Sequence, residues 1–184
     1  MEIMRLDPDE YRGRKYNTEF SSGKYLAIEP KKDGFRLRWE DSEILLIMSI
    51  KDSMLAEWLD NPVAYGAFED GRMAGFVEGF LEKWNNRFRI ANICIFEEAH
   101  RHSGVGTMLL NRILVDAENS GARMVVLETQ SFNYKAVSFY MKNGFEIIGF
   151  DRYAYSNKGP EEHNMRIEMG KKLPGQHPRK ITAL

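Results

Sequence analysis

The sequence predicts an α/β or α+β domain, a mixed sheet with helices on its faces, and three observations predict it. Between Val63 and Phe96, strand-like runs follow one another with only short turns between them, as in an antiparallel meander. A glycine-bearing turn, Arg101-His102-Ser103-Gly104-Val105-Gly106, then opens an amphipathic helix from Thr107 to Ala117. Beyond it, Arg123 to Glu128 is a mostly apolar strand suited to a sheet centre, followed by a second helix and further strands. A meander, a crossover helix and a buried strand in this order fold as a helix-covered sheet.

The elements are justified in order. Met1 to Ser22 is polar and reads as irregular, with Asp7-Pro8 able to start a turn or a short helix. Tyr25–Ile28 and Phe35–Trp39 read as strands joined through Asp33-Gly34, a pair that tolerates turn geometry. Ile44 to Ile50 is apolar and fits either strand or helix. Met54, Leu55 and Trp58 recur at helical spacing, so Lys51 to Leu59 is expected to be a helix ended by Asn61-Pro62. Val63–Phe68, Met73–Leu81 and Arg87–Phe96 are the meander strands, with turns at Asp70-Gly71 and Trp84-Asn85-Asn86. Gly75 and Gly79 predict a bend or a close backbone approach in the middle strand.

Leu109, Leu110, Ile113, Leu114 and Ala117 make one apolar stripe on the first long helix, which Ser120-Gly121 stops. Asn133 is placed to cap the next helix, which carries Ala136, Val137 and Tyr140 on one face and ends at Asn143-Gly144. Phe145–Phe150 and Asn164–Met169 read as the last strands, with a loop from Ser156 to Glu162. One domain over 1–170 is expected, followed by a basic flexible tail over 171–184 that holds two prolines and four Lys/Arg without an acid.

Composition excludes several classes. The 184 residues carry a formal charge of −1, so no global field draws nucleic acid. One cysteine, Cys94, excludes a disulfide framework and fits a reducing, cytoplasmic setting; within its apolar run it reads as a small buried hydrophobe. The four histidines form no metal-binding spacing, and charges interrupt every apolar run before it reaches membrane-spanning length. A dinucleotide fingerprint is a poor fit, since the third glycine is missing and the turn lies past the chain's midpoint. What remains for the glycine pair is a plain turn or an anion site. Two glycines let the backbone approach a ligand, and a helix start offers unpaired N–H groups to a phosphate.

The glycine turn, Leu127-Glu128-Thr129-Gln130, and Ala136 through Phe145 together resemble the GCN5-related N-acetyltransferases, whose loop Gln/Arg-x-x-Gly-x-Gly/Ala is matched by Arg101 to Gly106. The similarity is closest to streptothricin acetyltransferases, through Leu127–Gln130, Asn133, Phe139-Tyr140, Gly144-Phe145 and Asp151-Arg152-Tyr153. Its strong part spans Phe68 to Ser156. The resemblance implies a mixed, mostly antiparallel sheet with a splayed parallel strand pair, and acetyl-CoA as co-substrate. It implies pantetheine on the backbone of Cys94, Ile95 and Phe96, and pyrophosphate on the amides of Arg101, His102, Ser103, Gly104, Val105, Gly106 and Thr107. Asn133 resembles the residue that meets the pantetheine arm, and Tyr140 the general acid beside the thioester sulfur. Streptothricin-type relatives commonly have Glu-Asp where this chain has Asn92-Ile93. Because an ammonium must lose a proton before attack, Glu78 and Glu82, on one strand face by their even separation, are the candidate replacements.

The function this implies is direct transfer of an acetyl group from acetyl-CoA to a primary amine, of streptothricin or a similar small molecule, in a ternary complex. A protein lysine or N-terminal acetyltransferase and a non-catalytic acyl-CoA-binding regulatory module are the alternatives. A small-molecule amine is the expected partner, with no nucleic acid and no membrane, and a homodimer left open. No metal is expected.

Overall fold

Alternating burial in the meander builds the sheet. The computed structural model describes residues 1–96 and 103–174. Strand β4 (Val63–Glu69) turns through Asp70 and Gly71, at φ 49° and 75°, into β5 (Arg72–Glu82), and β5 turns into β6 (Arg87–Ile95). Positive φ at both central residues matches the hairpin twist, which is why an Asp-Gly pair stands there. The expected bend in β5 is present. A Cβ at Gly75 would lie 2.4 Å from the Cys94 carbonyl oxygen and one at Gly79 2.6 Å from that of Arg89, so only glycine lets these strands meet. The register shifts between Glu78 and Gly79, where Ala91 is the extra residue of a bulge in β6.

Helix α2 (Val105–Asn119) follows, burying Val105, Leu109, Leu110, Ile113, Leu114 and Ala117 on one stripe, and Gly121 at φ 71° marks its end. Strand β7 (Met124–Gln130) is buried from Met124 to Leu127, as a central strand should be. Helix α3 (Tyr134–Lys142) is capped by Asn133, whose side chain accepts from the Ala136 N–H at 3.3 Å. Strands β8 (Glu146–Asp151) and β9 (Arg166–Lys172) close the sheet, and the short β1 (Glu2–Arg5) pairs with β4 at its other edge. The strand order is β1-β4-β5-β6-β7-β9-β8, antiparallel except between β6 and β7. That exception is brief. The register runs Arg87↔Met124, Phe88↔Val125, Arg89↔Val126 and stops, so beyond Arg89 the two strands part. A mixed, mostly antiparallel sheet with a splayed parallel pair and flanking helices is therefore the fold.

The first half differs from expectation. In place of an irregular segment, the chain forms β1, a single helical turn α1 (Pro8–Tyr11) and the start of a long strand β2 (Lys15–Lys31). Strand β2 pairs with β3 (Gly34–Ser53) in a hairpin outside the main sheet, and Ile44 to Ile50 is strand. The helix expected over Lys51 to Leu59 is absent: β3 runs to Ser53 and turns follow, with Leu55 at φ 51°. The apolar spacing is real, but tertiary partners claim the backbone. Met54 exchanges bonds with Arg14 and Gly13, and the Leu55 N–H donates to Glu78. Met54 and Leu55 then fill a second apolar cluster with Leu6, Tyr16, Ala64 and Phe76. At the other end, Lys171 and Lys172 belong to β9 and Leu173 is buried, so the ordered unit extends past residue 170; 175–184 lie outside the described residues.

Ser131 locks the hairpin onto the end of β7. Its carbonyl accepts from the Leu26 N–H at 2.8 Å, its hydroxyl donates to the His163 carbonyl at 2.6 Å, and the Met165 N–H donates back to that hydroxyl at 3.0 Å. Three aromatic contacts repeat the attachment along the hairpin: Phe20 stacked on Phe132, Tyr25 stacked on His163, and Trp39 edge-on to Tyr134. Ser131→Ala leaves a buried carbonyl and a buried N–H short of a partner, and unfolding in denaturant should register a loss of about 1–3 kcal/mol. An unchanged midpoint would show that the hydroxyl is dispensable to this junction.

Candidate functional site

Beyond Arg89 a gap opens between β6 and β7. On the β6 side, the Phe96 N–H donates to the Ala74 carbonyl at 2.9 Å. Ladder alternation then turns the peptides of Cys94 and Phe96 toward β5 and those of Ile93 and Ile95 toward the gap. Of the three residues Cys94, Ile95 and Phe96, Ile95 is thus the one whose main chain is directed across the opening.

At the mouth of the gap, Gly104 holds φ 90° and is the N-cap of α2. Gly104 itself offers no side-chain cap and the first turn of α2 has no acid, an arrangement that suits an anion. A Cβ at Gly104 meets nothing within 4 Å, and one at Gly106 comes to 3.4 Å from the Phe139 ring of α3. The two helices therefore meet at this end. The small turn fits a diphosphate. Ser103, Val105 and Thr107 lie at this terminus, with Ser103 in the turn and the other two on α2. Arg101 and His102 lie outside the described residues. Asn133 acts as the cap of α3 at the far side of the gap.

Tyr140 faces inward from α3 and is buried, its ring 5.3 Å from Phe139 and 5.8 Å from Phe145. Burial pushes its phenol up, and the Cys94 thiol adds to the rise. At neutral pH it is an intact O–H, a donor.

Glu78 and Glu82 share a strand face, as their separation requires, but their environments diverge. Glu78 is 0% exposed. One carboxylate oxygen accepts from the Leu55 N–H and the other from the Asn92 side chain, both at 2.7 Å. Burial raises its pKa, the two hydrogen bonds oppose the rise, and Asp52 adds to it; the net direction is up. Glu82 is bound by Arg87, Arg89 and Asn85. Burial pushes it up, but the Arg89 and Asn85 hydrogen bonds and the two guanidinium charges outweigh that and hold it below the ordinary carboxylate range. A carboxylate so paired is a weak proton acceptor. Of the two, Glu78 is the more basic.

Sequence reasoning missed Tyr16. It belongs to the segment expected to be irregular, yet its ring lies 4.9 Å from Phe76 and 6.4 Å from Phe96, against the end of β6. The alternation of Tyr16, Thr18 and Phe20 with polar residues was the available signal for a strand.

The splayed parallel pair in a mostly antiparallel sheet with flanking helices makes an acyltransferase-type fold. Residues 31–145 match the Acetyltransferase (GNAT) family, and the chain belongs to that family. It is 28% identical over 161 residues to a streptothricin acetyltransferase of Streptomyces lavendulae, covering 82% of this chain and 84% of that one. In structure it is similar to nourseothricin acetyltransferase, with a TM-score of 0.72 at 22% identity over 94% of this chain and 98% of that chain. It is similar also to a GNAT family acetyltransferase from Elizabethkingia anophelis solved with acetyl-CoA bound, at a TM-score of 0.54 and 21% identity over 61% of this chain and 76% of that chain. Acetyl-CoA-dependent acetyl transfer to an amine is the chemistry of the family, and the fold here supports it. Among the described residues, no helix is long and apolar enough to cross a membrane.

If the α2 terminus carries the diphosphate, Gly104→Val and Gly106→Val should each weaken acetyl-CoA binding at least tenfold. The first forces a branched residue into positive φ, and the second crowds the approach beside Phe139. Calorimetric titration with unchanged affinity in both variants would place the diphosphate elsewhere.

Proposed function

We propose that this protein transfers the acetyl group of acetyl-CoA to a primary amine of a streptothricin-like small molecule, by direct attack in a ternary complex. The observation that carries the reading is the splayed β6–β7 pair, with a buried, raised-pKa carboxylate on β5 and an intact buried phenol on α3. Those are the two protonation states that amine acylation asks for: a base that accepts and an acid that donates. The match to the Streptomyces lavendulae streptothricin acetyltransferase, spanning most of both chains, supports the choice of acceptor.

Acetyl-CoA supplies a thioester, an activated acyl group with a thiolate leaving group. The chain's residues do the rest. The amides of Ser103 to Thr107, with those of Arg101 and His102, hold the diphosphate, and the main chain of Cys94 to Phe96, chiefly Ile95, together with Asn133, orients the pantetheine. Glu78 accepts one proton from the acceptor ammonium, which frees the nitrogen lone pair; the C–N bond forms as the C–S bond breaks. Tyr140 donates its O–H proton to the departing sulfur and recovers one from the acylated nitrogen through solvent. Glu82 serves the sheet through its arginine pairs. A metal has no part in this scheme.

Two substitutions test it. Tyr140→Phe removes the hydroxyl but keeps the packing on Phe139 and Phe145, so kcat should fall roughly 10²-fold or more with acetyl-CoA affinity and melting temperature little changed. A kcat within a factor of three, in a step limited by chemistry, would make Tyr140 a packing residue.

For Glu78 the sign is set by its raised pKa: activity should be lost as pH falls through an inflection above the ordinary carboxylate range. Glu78→Gln should remove that inflection from kcat/KM and lower its plateau. Because Gln still accepts from Leu55 and Asn92 can rotate its amide to match, the fold should persist. A wild-type pH profile in Glu78→Gln would assign deprotonation to a water route.

A further inference from the structure

Tyr16 carries a feature that folding alone does not explain. The residue is 8% exposed and its hydroxyl is buried without a hydrogen-bond partner among the described residues. Buried polar groups are ordinarily paired, and an orphaned hydroxyl costs stability, so phenylalanine would serve the packing on Phe76 better. The hydroxyl's surroundings are specific. Cys94, Asp52 and Glu78 are the ionisable groups that bear on it, in that order, after burial itself. Phe76 and Cys94 are paired across β5 and β6, and Glu78 stands two residues further on the same face. An open cavity of ≈ 450 Å³ reaches this corner, lined by Lys15, Tyr16, Asn17, Lys51, Asp52 and Ser53.

The two tyrosines near Cys94 come from opposite sides of the sheet. Tyr140 packs in the cluster with α2 and α3, whereas Tyr16 packs in the smaller cluster with Phe76 and Leu55. Tyr16 is thus on the side reached from the hairpin, away from the glycine turn. Asp52 is its cross-strand partner on the hairpin. Lys15 and Lys51 also line the cavity, but strand alternation sets their side chains on the opposite face of the hairpin from Tyr16 and Asp52. The field at the hydroxyl is that of two carboxylates, which favours a cation and disfavours an oxyanion.

We infer that the Tyr16 hydroxyl is the hydrogen-bond acceptor for the incoming amine, holding its N–H groups beside Cys94 within reach of Glu78. This rests on the acetyltransferase reading above and adds to it the group that positions the acceptor. Around the Tyr16 ring, Phe76 and Phe96 complete an apolar aromatic cluster. The acceptor it suits is therefore an unbranched aliphatic ammonium, whose methylenes lie on the rings and whose charge meets Tyr16, Asp52 and Glu78.

Tyr16→Phe tests the assignment with streptothricin and with Nα-acetyl-lysine amide as acceptors, each titrated at saturating acetyl-CoA. The expected result is an amine KM at least tenfold higher, the KM for acetyl-CoA unchanged, and a melting temperature equal to or above that of the unsubstituted protein. An unchanged amine KM overturns the proposal. So does a fall in kcat with the amine KM intact, which would put the hydroxyl on the thioester. Failure of the unsubstituted protein to acetylate either amine, while still binding acetyl-CoA, would instead overturn the reading on which the proposal rests.

Discussion

The parallel contact between β6 and β7 is held to three residue pairs, and the arrangement of the molecule follows from keeping it short. Two parallel strands side by side would ordinarily continue to pair, since each further residue satisfies backbone groups. Here both strands have other commitments. Strand β7 is paired along its whole length with β9, and β6 along its whole length with β5, so neither needs the other to stay in the sheet. The Ala91 bulge falls where the strands begin to part and adds local twist. Past that point the Ser131 junction brings the β2–β3 hairpin onto the end of β7, so the hairpin borders the opening.

Electrostatics along β5 is arranged by burial more than by net charge. The chain as a whole is nearly neutral, at −1, and offers no long-range steering. Two carboxylates on the same strand nonetheless take opposite directions, because Glu82 is given guanidinium partners and Glu78 is given only neutral donors. Neutral donors offset part of the desolvation cost without supplying a counter-charge, which leaves Glu78 the more basic of the two. Its partner Asn92 stands directly across from it on β6.

The hairpin lies outside the seven-stranded sheet, and its inward residues, among them Tyr16 and Phe20, reach the ends of β6 and β7 through aromatic contacts. In the proposed reaction the cofactor is held by helix termini and the acceptor by this strand pair from the first half.

Much of this was legible in the residues. The Asp70-Gly71 turn, the glycines at 75 and 79, the apolar stripe of α2, the Asn133 cap and the family pattern around Gly104 are all local signals, read from one or two turns of chain. They determined the second half of the fold, the family and the candidate residues. The first half was decided by tertiary contacts. Leu55 has helical spacing, but its N–H is taken by Glu78, a residue 23 positions away, and its backbone turns to φ 51° to meet it. Tyr16 looked like part of a polar arm until β3 gave β2 a partner and Phe76 gave the ring a wall. Equal spacing on β5 could not distinguish Glu78 from Glu82 either, because a carboxylate's basicity depends on which donors surround it, and those donors come from other strands and from the turn after β3. Sequence periodicity encodes which face a residue presents; only the folded chain decides what that face meets.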